Sequence, residues 1–326
     1  MTGAAGFVGR RLCEYLHSQG HEVVALLRRS AAAGSWHRSF CCELGREALP
    51  NGLMEGVDGV FHLANLAHAD PADCEADKYW RVNVAGTEAL LTAARQAGVG
   101  SFIYFSSVKA VVEPGKRCVD ENWDGMPTDP YGRSKREAER RVLSTGAACG
   151  MHVCNLRPAL VYGPGVKGNL FRMLRTVARR RFPPLPDFGN RRSMVSLDDL
   201  ITAAWLSATS PKANGRTYIV ADGVDYSPRE LYEAILRALG MPLPRWRIPG
   251  LVLRFAARAG DGVSWMLRRR MPLDSAVLSR LKGSACYRSD LIREELGWKP
   301  VKNLYDALPE MVEDICGQGE SGIVRE

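Results

Sequence analysis

An alternation constrains this chain most. Short, near-continuous apolar runs stand at Val23-Val24-Ala25-Leu26-Leu27, Val60-Phe61-His62-Leu63-Ala64, Phe102-Ile103-Tyr104-Phe105 and Val153-Cys154-Asn155-Leu156. Runs this short and apolar are expected of parallel strands covered on both faces. Helical patterns lie between them. Val8, Leu12, Tyr15 and Leu16 share one face with Gly20 at the exit, and Tyr79, Val82, Leu90 and Ala93 form a stripe ending near Gly98. Strands alternating with helices predict an α/β fold built on a doubly wound parallel sheet.

The texture changes after about residue 163, where Pro164, Pro183-Pro184 and Pro186 and many arginines break the alternation. Residues 1–163 are read as a Rossmann-type dinucleotide-binding domain and 164–326 as a smaller, mostly helical substrate domain, with segments near 194–222 returning to the main sheet. The strand expected to return is Thr217-Tyr218-Ile219-Val220.

Lys plus Arg number 44 against 36 Asp plus Glu, a formal charge of +8. Clusters stand at Arg179-Arg180-Arg181, Arg191-Arg192 and Arg268-Arg269-Arg270, without a helix-turn-helix or aromatic-basic RNA pattern. A phosphate-bearing small molecule is the expected partner, not nucleic acid. The nine cysteines are scattered without a C-x-x-C pair. They read as reduced, apolar residues rather than a disulfide framework or zinc site, and the six histidines suggest no metal cluster. With no apolar run of about 18 residues and no secretory pattern, the expected location is cytoplasmic.

Gly3-Ala4-Ala5-Gly6-Phe7-Val8-Gly9 has the spacing G-x-x-G-x-x-G. Its first two glycines let the backbone turn tightly against a pyrophosphate, and the third lets helix and strand pack closely. The helix N-terminus then offers unpaired N–H groups to the anion. Only Met1 and Thr2 precede this turn, although the fold needs a central strand there. The expectation is a native chain starting several residues upstream.

Three further features carry chemistry. Arg28-Arg29 follows the Val23–Leu27 run, where an acidic residue would accept from an adenosine ribose. Arginine grips a 2′-phosphate instead, which favours NADP(H) and leaves NAD(H) open. Tyr131-Gly132-Arg133-Ser134-Lys135 places a phenol and an ammonium one helical turn apart, after the capping segment Thr128-Asp129-Pro130. A free phenol titrates near ~10, and a neighbouring cation would lower that. Ser106-Ser107 ends the Phe102–Phe105 run, at the strand edge where such folds bind ligands.

In this order and spacing, the pieces resemble the extended short-chain dehydrogenase/reductases, specifically the NAD(P)-dependent nucleotide-sugar epimerase/dehydratase group. The resemblance rests on T-G-A-A-G-F-V-G at Thr2–Gly9, D-G-V-F-H-L-A at Asp58–Ala64, N-V-A-G-T at Asn83–Thr87 and F-S-S at Phe105–Ser107. It continues through Y-G-R-S-K at Tyr131–Lys135, R-P-A-L-V-Y-G-P-G at Arg157–Gly165, V-S-L-D-D-L at Val195–Leu200 and E-L-G-W-K-P at Glu295–Pro300. It implies that Tyr131 is the general acid/base, that Lys135 holds the nicotinamide ribose and depresses the tyrosine, and that Ser107 orients the reacting oxygen. Gly3, Gly6, Phe7 and Gly9 would shape the pyrophosphate site, and Arg28 would read the adenosine ribose. Glu43 and Leu44 would sit by the adenine, and Leu63 and Ala64 would line the cleft. Asn169 and Arg192 would contact the nucleotide diphosphate, with Arg280 substituting for a family arginine that has no clear counterpart.

The resemblance also bears on the reaction. Dehydratases follow the active-site hydroxyl with Asp-Glu, whereas Ser107 here precedes Val108-Lys109. Epimerases retain NAD, and ketoreductases consume a reduced cofactor, which suits Arg28-Arg29. The stretches Gly163–Asn169 and Asn190–Val195 resemble bacterial surface-polysaccharide enzymes that reduce a UDP-4-keto-6-deoxy-N-acetylhexosamine. A UDP-sugar is the expected substrate, UDP-glucose/UDP-N-acetylglucosamine 4-epimerase the alternative, and a homodimer compatible with either. A non-catalytic dinucleotide-binding regulator is disfavoured because both Tyr131 and Lys135 are present. The stretch Arg245–Met271 mixes apolar residues with seven arginines in the manner of a membrane-surface helix. Pro249-Gly250 and Gly260-Asp261-Gly262 interrupt it, so it is read as short helices of the substrate domain.

Overall fold

The computed structural model describes residues 1–29, 33–67, 75–115, 117–244, 246–267 and 274–320, except for some side chains within the helices. The chain opens with α1 (Phe7–Ser18), β1 (Val24–Leu27), β2 (Arg38–Cys41) and β3 (Gly59–His62). Then come α2 (Glu75–Tyr79), a π-helical turn (Trp80–Ala85), α3 (Gly86–Gln96) and β4 (Ser101–Phe105). The middle holds β5 (Cys118–Val119), α4 (Pro130–Cys149), β6 (His152–Pro158), β7 (Leu160–Tyr162) and α5 (Gly168–Ala178). Beyond it lie β8 (Arg192–Ser196), α6 (Leu197–Thr209), β9 (Arg216–Val220), β10 (Asp225–Tyr226) and α7 (Pro228–Ala238). The C-terminal part carries α8 (Gly250–Leu267), α9 (Ser275–Lys282), β11 (Cys286–Tyr287), α10 (Asp290–Leu296) and α11 (Leu304–Glu320).

The main sheet is parallel and doubly wound, as expected. β1 pairs with β2, and β3-β4-β6-β9 form the other run. Thr2 joins the two by bridging Leu26 on one side and His62 on the other. The position where the sequence called for a central strand is therefore held by Met1 and Thr2. Thr2 N donates to Phe61 O at 3.0 Å, and Leu26 N donates to Met1 O at 2.8 Å.

Side-chain alternation between two covered faces explains why these strands are mostly apolar. Leu26, Val60, Phe102, Tyr104 and Val153 pack with Leu90, Leu91, Ala138 and Val142 of α3 and α4. Ala25, Phe61, Ile103, Phe105 and Leu156 point the other way, into a core with Leu12 and Leu16 of α1 and Leu200 and Ala204 of α6. The sheet thus has helices on both faces. β9 returns to the main sheet, while β8 pairs with β7 and β10 in a separate small sheet. A second core joins that sheet to α5, α7 and α11 through Tyr162, Leu174, Met194, Ile235 and Met311.

Two sequence expectations are corrected here. Cys118 and Cys286 form a disulfide that ties the neighbouring strands β5 and β11 together, so these two cysteines are not reduced. Register, invisible in a scattered cysteine pattern, brings them opposite each other. The second correction concerns Gly260-Asp261-Gly262, which does not interrupt a helix: α8 runs unbroken from Gly250 to Leu267. A glycine costs a helix only about 1 kcal/mol, which the packing of Leu253 and Ala257 offsets.

α4 is anchored by charge. Arg157 on β6 donates to both carboxylate oxygens of Glu139 at 2.8 and 2.7 Å, and both side chains are buried. Removing one partner strands the other charge, so Glu139→Gln or Arg157→Met should each lower unfolding free energy by about 3–5 kcal/mol. Replacing both by apolar residues of similar volume should recover most of that loss. Urea unfolding of the two single variants and the double variant checks this prediction.

Candidate active site

The glycine turn closes on itself through Gly6 N donating to Gly3 O at 2.9 Å. Gly3 has φ +70°, and a Cβ there would stand 2.8 Å from Ala64 N. A Cβ on Gly9 would stand 2.0 Å from Gly3 O, so helix and turn meet only because that side chain is missing. The N-cap of α1 is Gly6, with no side-chain cap and no acidic residue in the first turn. Its first N–H groups therefore lack intrahelical partners and point outward at the sheet's topological switch. This arrangement fits a pyrophosphate. Phe7 turns its ring toward Gly165, 3.8 Å from where a Cβ there would lie.

The remaining expected cofactor residues frame the same sheet edge. Arg28 is exposed immediately after β1. Glu43 follows β2 half-buried and pairs with Arg46 at 3.2 Å. Leu44 and Leu63 are buried core residues, and Ala64 is half-buried.

Ser107 and Tyr131 face each other at the C-terminal end of β4, the serine hydroxyl near enough to pull the phenol's titration down against the effect of burial. Ser107 also caps the turn after that strand by accepting from Lys109 N at 3.2 Å. Tyr131 enters the helix because Asp129 caps α4, accepting from Gly132 N at 2.9 Å, and Pro130 takes the first helical position. Tyr79 packs beside it, ring centroids 5.8 Å apart.

Lys135 departs from expectation. Its amine is fully buried, donates to Phe105 O at 2.6 Å and lies 4.3 Å from the Tyr104 ring centroid. Burial pushes it down to about 7, partly opposed by Glu139. Burial likewise pushes the Tyr131 phenol up to about 12, with Ser107 pulling it the other way. The ammonium was expected to make the phenol acidic; instead its hydrogen bond goes to a main-chain carbonyl. Helical spacing brings the two residues onto one face, but the lysine reaches under the end of β4 while the tyrosine turns to Ser107.

Asn83, in the π-helical turn, was quoted in a motif without being given a role. Its side chain accepts from Leu66 N at 2.8 Å and donates to Leu66 O at 3.1 Å and to Ser134 Oγ at 2.9 Å. It clamps the chain leaving β3 onto the helix that carries Tyr131 and Lys135. π-turns of this kind recur at functional sites.

Among the expected substrate residues, Arg192 opens β8 half-buried and is near enough to Lys109 to help depress its amine, after burial itself. Lys109 also interacts with Asp129, and so does Tyr131, so these groups form one neighbourhood. Lys109 is ion-paired with Glu113. Asn169 is exposed in the first turn of α5, and nothing brings it to this group. Arg280 lies in α9, and its side chain is outside the described residues. A cavity of about 910 Å³ lies elsewhere, walled by Phe7, Arg10, Gly165 and Lys302, and none of Ser107, Tyr131 and Lys135 lines it.

Comparison with known proteins follows this geometry. Residues 1–221 match the family described as NAD dependent epimerase/dehydratase family. A UDP-glucose 4-epimerase of Vibrio cholerae is 30% identical over 95% of this chain and 93% of its own. A 2-alkyl-3-oxoalkanoate reductase of Stenotrophomonas maltophilia is 27% identical over 94% and 96%. Among solved structures, UDP-glucose 4-epimerase of Thermotoga maritima with UDP-glucose superposes with a TM-score of 0.78 at 21% identity, covering 97% of this chain and 98% of that one. The Rossmann fold, the motifs along the chain and these matches agree: the chain belongs to the NAD-dependent epimerase/dehydratase family, a group of short-chain dehydrogenase/reductase enzymes that use an NAD(P) dinucleotide.

Proposed function

We propose that this enzyme uses NADPH to reduce the C4 ketone of a UDP-linked sugar, a UDP-4-keto-6-deoxy-N-acetylhexosamine being the best fit. The Ser107–Tyr131 hydroxyl pair carries this reading. Its phenol, pushed up to about 12 by burial, stays protonated at neutral pH and so carries the proton that the reduction needs. When bound, the reduced dinucleotide supplies the hydride that becomes the new C4–H bond. Ser107 donates a hydrogen bond to the carbonyl oxygen, and Tyr131 passes its proton to that oxygen as the alcohol forms. Lys135 would reach the nicotinamide ribose by turning its amine from Phe105 O into the cleft, and the first turn of α1 would hold the pyrophosphate.

Substrate charge follows from the neighbourhood. Lys109 and Arg192 offer cations to a diphosphate beside the start of α4, while Glu113 and Asp129 answer the lysine's charge in the free enzyme. The same lysine stands where a dehydratase carries its acid pair. Arg28, exposed at the end of β1, supports NADPH. A second reading, 4-epimerisation of a UDP-hexose with retained NAD, is favoured by the Vibrio cholerae relative. Incubation with NADPH and the UDP-keto-sugar should consume both in equal amounts. Interconversion of UDP-hexoses without net cofactor consumption would overturn reduction in favour of epimerisation.

Three measurements test the residue roles. Tyr131→Phe should lower kcat by about 10²–10⁴-fold and leave dinucleotide affinity unchanged in fluorescence titration. Arg28→Asp should shift the NADPH/NADH preference in kcat/KM toward NADH by about 10- to 100-fold, the value of one charge-assisted hydrogen bond. The third concerns pH. Below about 7 the Lys135 amine of the free enzyme is charged, and above it neutral. Ribose oxygens and pyrophosphate favour the charged form, so dinucleotide binding should take up a proton, and affinity should weaken as pH rises above about 7. Titration calorimetry in buffers of different ionisation enthalpy reads that uptake, and Lys135→Met should abolish it.

A further inference from the structure

α8 is amphipathic the wrong way round for a helix that only packs. Leu253 and Ala257 are buried against Leu185 and Leu278. The opposite face exposes large apolar side chains to solvent: Leu251 is 64% exposed, Val252 53% and Phe255 68%, with Trp246 63% exposed just ahead. Leu251 and Phe255 are one turn apart and Val252 lies beside them, so the face is contiguous. Ala256 and Ala259 extend it. The helix passes unbroken through Gly260-Asp261-Gly262, so only Pro249-Gly250 of the two expected interruptions remains, and it marks the helix start with Trp246 and Arg247 in the segment before it.

The rim of this face is basic. Arg247, Arg254 and Arg258 are exposed, and no ion pair joins them to any described carboxylate. Asp261, the one acidic residue of α8, accepts from Ser275 N at 3.0 Å and from its hydroxyl, at the start of α9. A second copy of the chain docked on this face would bring arginine against arginine. An anionic lipid surface supplies both an apolar interior for Leu251, Val252 and Phe255 and headgroups for the guanidinium groups. No described helix is long and apolar enough to cross a bilayer.

We propose that α8 docks the enzyme on anionic membrane surfaces, lying in the plane of the interface. The full-length enzyme is sedimented with vesicles of phosphatidylcholine alone or containing about one-third phosphatidylglycerol. Binding is expected to the anionic vesicles only and to weaken as salt screens the arginines. Leu251→Ser with Phe255→Ser should reduce the partition coefficient by about tenfold or more, because both side chains leave the interface. Reductase or epimerase turnover in solution should be unchanged in that variant, since neither residue belongs to the site. Equal binding to both vesicle types, no binding to either, or undiminished binding by the double variant would overturn the proposal. So would sedimentation velocity showing that the substitutions split a dimer, which would make this face a protein interface.

Discussion

A lysine amine with no exposed surface governs the arrangement of the catalytic half. Placing a charge there is costly unless the surroundings compensate it, and three groups do so: the Phe105 carbonyl, the face of Tyr104 and, at longer range, Glu139. The compensation is incomplete, so the amine titrates near neutrality. Each group also has a structural consequence. Phe105 O fixes the end of β4, and with it the Ser106-Ser107 turn, against the first turns of α4. Glu139 is held by Arg157, so the position of the helix depends on the same carboxylate.

The turn at the dinucleotide end is coupled to that helix by a buried chain of hydrogen bonds. Thr2 Oγ1 accepts from Ala64 N at 3.0 Å and lies 2.7 Å from His62 Nδ1. His62 Nε2 meets Thr87 Oγ1 at 2.9 Å, and Thr87 donates to Asn83 O at 2.6 Å. Asn83 then reaches Ser134, which donates to Tyr131 O at 2.7 Å. Burial, helped by the Lys135 charge, drives His62 down to about 3, so its ring stays neutral and keeps one donor and one acceptor. A neutral imidazole suits a link between two hydroxyls; a protonated one would present two donors beside a buried ammonium. The glycine turn and the Tyr131 helix are thus positioned together.

How much of this was legible in the sequence varies with the physical signal involved. Strands β1, β3, β4, β6 and β9 were readable because double burial makes most positions apolar, buried His62 and Asn155 being exceptions, and α1 because its stripe and Gly20 mark both face and exit. Ser107 at a strand edge and Tyr131 at the head of a capped helix were legible as separate candidates, but their facing each other was not. Spacing could not give the direction of the Lys135 side chain, which depends on a carbonyl thirty residues away in the chain. Nor could it give the Cys118–Cys286 bridge, which depends on strand register across 168 residues. Asn83 was visible as a letter in a motif, but its clamp exists only because a π-turn rotates it toward Leu66 and Ser134. At Gly260-Asp261-Gly262 local propensity was outweighed by the packing of Leu253 and Ala257.

The high pKa of the tyrosine bears on the direction of catalysis. A phenol used as a base must first lose its proton, and from about 12 that is costly at neutral pH. The same phenol used as an acid begins in the required state, and its proton goes to an alkoxide that is a stronger base still. The free enzyme's phenol is therefore in the protonated state from which the proposed ketone reduction starts. An epimerase must do both in one cycle and needs a group that lowers the phenol first. In the free enzyme the Lys135 hydrogen bond goes to Phe105 O, and Ser107 alone leaves the phenol high. The protonated phenol of the free enzyme and the Arg28 guanidinium where a ribose-reading carboxylate would stand are the two features behind the proposed reduction.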